Sequence, residues 1–75
     1  DIIQSTGTGT PVIEAAVNLE LTAGNAVHIT SSVLRLASFT TTERNALAAQ
    51  NGDMIYNTTD NKFQGYENGA WANLI

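Results

Sequence analysis

From Ile13 onward, apolar side chains at Ile13, Ala15, Val17, Leu19 and Leu21 alternate with Glu14, Ala16, Asn18, Glu20 and Thr22. That period of two predicts a β-strand with one buried face. Ala23-Gly24-Asn25 supplies turn chemistry, because Gly and Asn tolerate positive φ. The alternation then resumes, with Val27 and Ile29 flanking His28 and, after Ser31-Ser32, Leu34 and Leu36 flanking Arg35. Three short strands follow from this pattern. Each has one apolar face, and the chain has little left to cover them.

In the middle of the chain, Thr40 with Glu43 three residues later forms a capping box, each side chain satisfying a backbone N–H. Good helix formers follow, and Asn51-Gly52 is a natural stop. A helix over residues 41–49 is expected, with Leu47 and Ala46 or Ala49 packing on the sheet. The remainder reads as a three-stranded meander. Its strands are Asp53–Asn57, Lys62–Glu67 and Ala70–Leu74, joined by a turn at Thr58-Thr59-Asp60-Asn61 and by Asn68-Gly69, a strong hairpin signal. Parity separates Met54 and Tyr56 from Ile55, and Phe63 and Gly65 from Lys62, Gln64 and Tyr66. A mid-strand Gly65 predicts a large ring lying against it, with Trp71 or Tyr56 as the candidates.

Length sharpens this picture. A chain of 75 residues buries only roughly 60% of the surface its unfolded form exposes, and chains this short usually need a staple such as a disulfide, a metal or a partner subunit. The chain has no cysteine and one histidine, which leaves association with other chains as the expected staple. Three scattered basic residues, Arg35, Arg44 and Lys62, and a net charge of −4 cannot build the basic stripe that nucleic acid or an anionic membrane requires. No apolar run approaches the length of a transmembrane helix, and no signal peptide is visible. With 43% apolar residues the chain is not of disordered composition. Opening on Asp1, it reads as a fragment, a processed product or a domain of something longer.

The run from Phe39 to Ile75 resembles a module that recurs in fibre proteins of tailed bacteriophages. The matching elements are Thr41 to Leu47 (TTERNAL), Asn51 to Tyr66 (NGDMIYNTTDNKFQGY) and Gly69 to Trp71 (GAW). Leu19 to Ser32 is similar, more loosely, to the Thr/Ser/Gly-rich strand-turn repeats of such fibres. Ala48-Ala49-Gln50 stands where that module carries a proline-containing turn, which implies a longer helix here. The resemblance implies a homotrimeric, β-rich segment of a virion appendage, lying outside the cell.

The expected fold is therefore mainly β with one short helix, an intertwined homotrimer in which N-terminal strands precede the helix and the C-terminal three-stranded β-meander. Residues 1–11 form an extended arm or linker, 12–38 the strand segment about a three-fold axis, and 39–75 the helix and meander. Ile13, Val17, Leu19, Leu21, Val27 and Ile29 are the expected trimer interface. If each copy hides roughly 800 Å² there, about 20 kcal/mol per chain is gained before entropy costs. The expected role is structural, holding three chains in register. The alternative is a host-attachment tip that binds a receptor or glycan, with Tyr56, Tyr66 and Trp71 as a sugar-stacking platform. Other virion proteins are further expected partners; nucleic acid and membrane insertion are not.

Chemistry is sparse. His28 reads either as an ordinary exposed histidine or as a metal ligand on a three-fold axis. Asn57-Thr58-Thr59 matches a glycosylation sequon but coincides with the expected turn. A hydrolytic triad would have to use His28, and Asp53, Asp60 and Glu67 lie at strand ends and turns, where solvated carboxylates are normal. No catalytic residue, metal or cofactor is expected.

Overall fold

The computed structural model describes residues 12–75, so the arm expected at 1–11 lies outside the described residues. The chain divides into two units, Asp1–Thr30 and Ser31–Ile75. In order, the second holds β1 (Ser38–Phe39), α1 (Thr41–Asn45), β2 (Met54–Asn57), β3 (Lys62–Glu67) and β4 (Ala70–Asn73). The four strands form one sheet in the order β1-β2-β3-β4. The described fold is thus mainly β with one short helix.

The meander closes as its turn residues dictate. Met54 pairs with Gly65 and Asn57 with Lys62, while Gln64 pairs with Asn73 and Glu67 with Ala70. Asn68 and Gly69 both take positive φ, 51° and 79°, the conformation a tight two-residue hairpin requires. Asn61 does the same at the other turn, with φ 55°. The meander gains a fourth, parallel strand that periodicity did not announce: Ser38 pairs with Tyr56 and Phe39 with Asn57. Two residues are too few to show a period of two.

Three expectations need correction. The strands predicted around Ile13–Leu21, Val27–Ile29 and Leu34–Leu36 are absent, since residues 12–37 hold no helix or strand. Alternation decides which side chains share a face, but a strand also needs a neighbour to pair with along its length. Among the described residues these segments have no such strand beside them. The helix ends at Asn45 and does not reach 49. Its last turn closes with tighter bonds, Ala46 N–H to Glu43 O (3.1 Å) and Leu47 N–H to Arg44 O (3.1 Å). A turn then intervenes, in which Asp53 N–H donates to Gln50 O while Gln50 N–H donates to the Asp53 carboxylate. Finally, no ring covers Gly65. A Cβ there would meet Leu74 Cδ2 at 3.1 Å, because the chain leaving β4 carries Leu74 across the same face.

The capping box is present in full. Glu43 N–H donates to Thr40 Oγ1 (3.2 Å) and Thr40 N–H to Glu43 Oε1 (2.9 Å). The cap thus satisfies two backbone donors at the start of a five-residue helix. Thr40→Ala is expected to destabilise the protein by about 1 kcal/mol in urea denaturation. A change below about 0.2 kcal/mol would show that contacts to the sheet alone hold α1.

Candidate functional site

Strand alternation gives the sheet two chemically distinct faces. One carries Ile55, Asn57, Gln64, Tyr66, Trp71 and Asn73, and α1 lies against it through Thr41 and Arg44. The other carries Met54, Tyr56, Phe63, Gly65, Glu67, Ala72 and Leu74. Helix coverage falls on the more polar face.

The covered face holds a closed hydrogen-bond network. Asn57 and Gln64 are 0% and 3% exposed, more deeply buried than Ile55 at 5%. Asn57 Nδ2 donates to Thr41 Oγ1 (3.1 Å) and Gln64 Oε1 (3.0 Å), and Asn57 Oδ1 accepts from Thr59 N–H (2.8 Å) and Asp60 N–H (3.0 Å). Gln64 Oε1 also accepts from Arg44 Nη1 (2.9 Å), and Gln64 Nε2 donates to Asn73 Oδ1 (2.8 Å). The Arg44 guanidinium lies 5.7 Å from the Trp71 ring centroid, a cation–π distance. Among the described residues no buried side-chain polar atom is left without a partner. Such a layer fixes the relation of helix to sheet, because any slip would leave amides buried and unpaired.

The other face is open. Met54 is 52% and Phe63 44% exposed, and Leu74 is exposed as well. Tyr56 and Phe63 form an edge-to-face pair here, with centroids 5.0 Å apart. Two shallow grooves lie on this side. One, of about 470 Å³, is lined by Asp53, Met54, Gly65, Glu67 and Leu74 among others. The second, of about 380 Å³, is lined by Val33, Leu34, Arg35, Leu36, Ser38, Tyr56 and Phe63.

In the first unit, Ile13, Val17, Leu19, Leu21, Val27 and Ile29 are all exposed, between 51% and 87%. His28 is exposed too. Among the described residues no group of three His, Cys, Asp or Glu side chains could hold a metal ion. No helix of the described residues is long and apolar enough to cross a membrane.

The three candidate sugar-contacting rings do not share a face. Tyr66 and Trp71 pair edge-to-face on the helix side, 5.1 Å between centroids, and both are half-buried. Tyr56 lies on the opposite face. In the sequon, the Asn57 side chain is buried, with both amide ends engaged in the network. The residues that sequence reasoning missed are Asn57, Gln64 and Arg44 as a core. Hydrophobic patterning passes over polar side chains, and the available signal was their parity: Asn57 with Ile55, and Gln64 between Phe63 and Gly65. The chain matches no known protein-family model, no curated protein and no solved structure.

Proposed function

We propose that this chain is a structural trimerisation segment of a bacteriophage tail or virion fibre, holding three chains in register, with no catalytic activity of its own. The observation that carries the reading is the surplus of apolar surface. Among the described residues, seven large aliphatic side chains of the first unit and the open sheet face of the second are exposed in the single chain. Burying one such side chain fully gains about 1.5–3 kcal/mol. A 75-residue chain without disulfides gains much of its stability if that surface is shared with identical copies. Closed three-fold symmetry provides this with one repeated contact and no open end. Neighbouring chains would also give the alternating segment around Ile13–Leu21 a strand to pair with. The fibre assignment itself rests on the resemblance of residues 39–75.

The placement of the rings supports the structural role over the receptor-binding one, since Tyr56 faces away from Tyr66 and Trp71. Fusing the full chain to a monomeric carrier protein tests the reading. The carrier is expected to become trimeric and to bind no glycan on an array. A carrier that stays monomeric removes the proposal, and glycan binding abolished by Trp71→Ala would transfer the role to a receptor-binding tip.

A further inference from the structure

The open sheet face is electrically polarised, and that polarity indicates how copies meet. Its two grooves lie toward opposite ends of the face. One contains the Met54, Gly65 and Leu74 side and the other the Tyr56 and Phe63 side, next to β1. Of the three basic residues, Arg44 is engaged with Gln64, Asn45 and Trp71 beneath the helix. Lys62 shares the parity of Gln64 and so belongs to the helix-covered face. Arg35 is left, exposed and lining the groove beside β1. The other groove is acidic, lined by Asp53 and Glu67. The Asp53 carboxylate accepts from Gln50 N–H (2.9 Å), whereas Glu67 is exposed and shares the open face with Gly65.

We infer that the open sheet face is a head-to-tail interface between copies of this chain, with Arg35 of one copy meeting Glu67 of the next. This rests on the trimer reading above and adds to it a second interface, distinct from the aliphatic stripe of the first unit. A contact between two unlike ends of one face is heterologous, and a heterologous contact closes into a ring when the rotation between copies is a simple fraction of a turn. One Arg35–Glu67 pair then forms at every junction. Each junction draws on one end of the face from each copy, and both ends carry exposed apolar side chains, Val33, Leu34 and Phe63 at one and Met54 and Leu74 at the other. Opposite charges at the rim of such a patch set the orientation of the partners and penalise the reversed one.

The test is a charge-swap series on the full chain, comparing the wild type with Arg35→Glu, Glu67→Arg and the double variant. Assembly is followed by sedimentation over a range of concentrations, at low ionic strength and at about 1 M salt, where such charges are screened. Each single variant repeats its like-charge contact at every junction. Each is expected to weaken assembly about tenfold or more at low salt, the double variant to recover most of that loss, and high salt to narrow the differences. The neutral variants Arg35→Gln and Glu67→Gln are expected to weaken it less, and they keep the series readable if a reversal impairs folding. If the wild type is trimeric and both reversals assemble as it does, or the double variant is no better than the singles, this interface is wrong while the trimer stands. If the wild type is monomeric at every concentration, the trimer reading falls first.

Discussion

Asn57→Ala is expected to destabilise the protein by about 3 kcal/mol or more. Asn57 is fully buried, and its side chain makes four hydrogen bonds, to Thr41, Gln64, Thr59 and Asp60. Its removal leaves the Thr59 and Asp60 N–H groups, at the turn between β2 and β3, without their acceptor. It also takes one donor from Gln64 and one from Thr41, which ties α1 to the sheet. Gln64 cannot turn over to compensate. Its oxygen also receives Arg44 and its nitrogen is committed to Asn73. Urea denaturation at equal chain concentration reads the effect, because the stability of an assembling protein depends on concentration. Thr42→Ala, on the exposed side of α1, is the reference and is expected to stay within about 0.5 kcal/mol of wild type. If the two variants were equally stable, the polar layer would not be what joins helix to sheet.

The second large effect is expected in the first unit. Ile13, Val17 and Leu21 fall on one face of an extended chain and are all more than half exposed. Replacing the three together with serine removes little that the single chain uses. In the assembly, each would forfeit about 1.5–3 kcal/mol if fully buried, so association is expected to weaken at least a thousandfold. The near-ultraviolet circular dichroism of the Tyr66–Trp71 pair, which belongs to the other unit, is expected to persist. Loss of assembly with that signal intact separates an interface effect from unfolding. A triple variant that assembles like the wild type would remove these residues from the interface.

How legible the fold was in the sequence depended on where its information is local. The capping box at Thr40 and Glu43, the hairpin at Asn68-Gly69 and the alternation in Lys62–Glu67 act through neighbours a few residues away, and each appears in the structure where the sequence placed it. β1 could not be read, because Ser38 and Phe39 are a strand only by virtue of Tyr56 and Asn57 beside them. The polar core was hidden for a related reason. Asn57 and Gln64 look like turn and surface residues until the register and the helix bring Thr41, Arg44 and Asn73 to them. Leu74 over Gly65 was missed because a bare mid-strand glycine suggests an aromatic ring, while a branched aliphatic at the strand end fills the same space. The aliphatic stripe from Ile13 to Ile29 was plain in the sequence as a pattern. In the proposed trimer, neighbouring copies of the chain would cover it.

The central claim is that this chain works as three. Light scattering on the full chain eluting from a sizing column, in dilute neutral buffer, tests it most directly. The expected result is a particle of three times the 8.0 kDa chain mass that holds together on dilution. A folded particle of 8.0 kDa at every concentration, or a stable dimer, would contradict it.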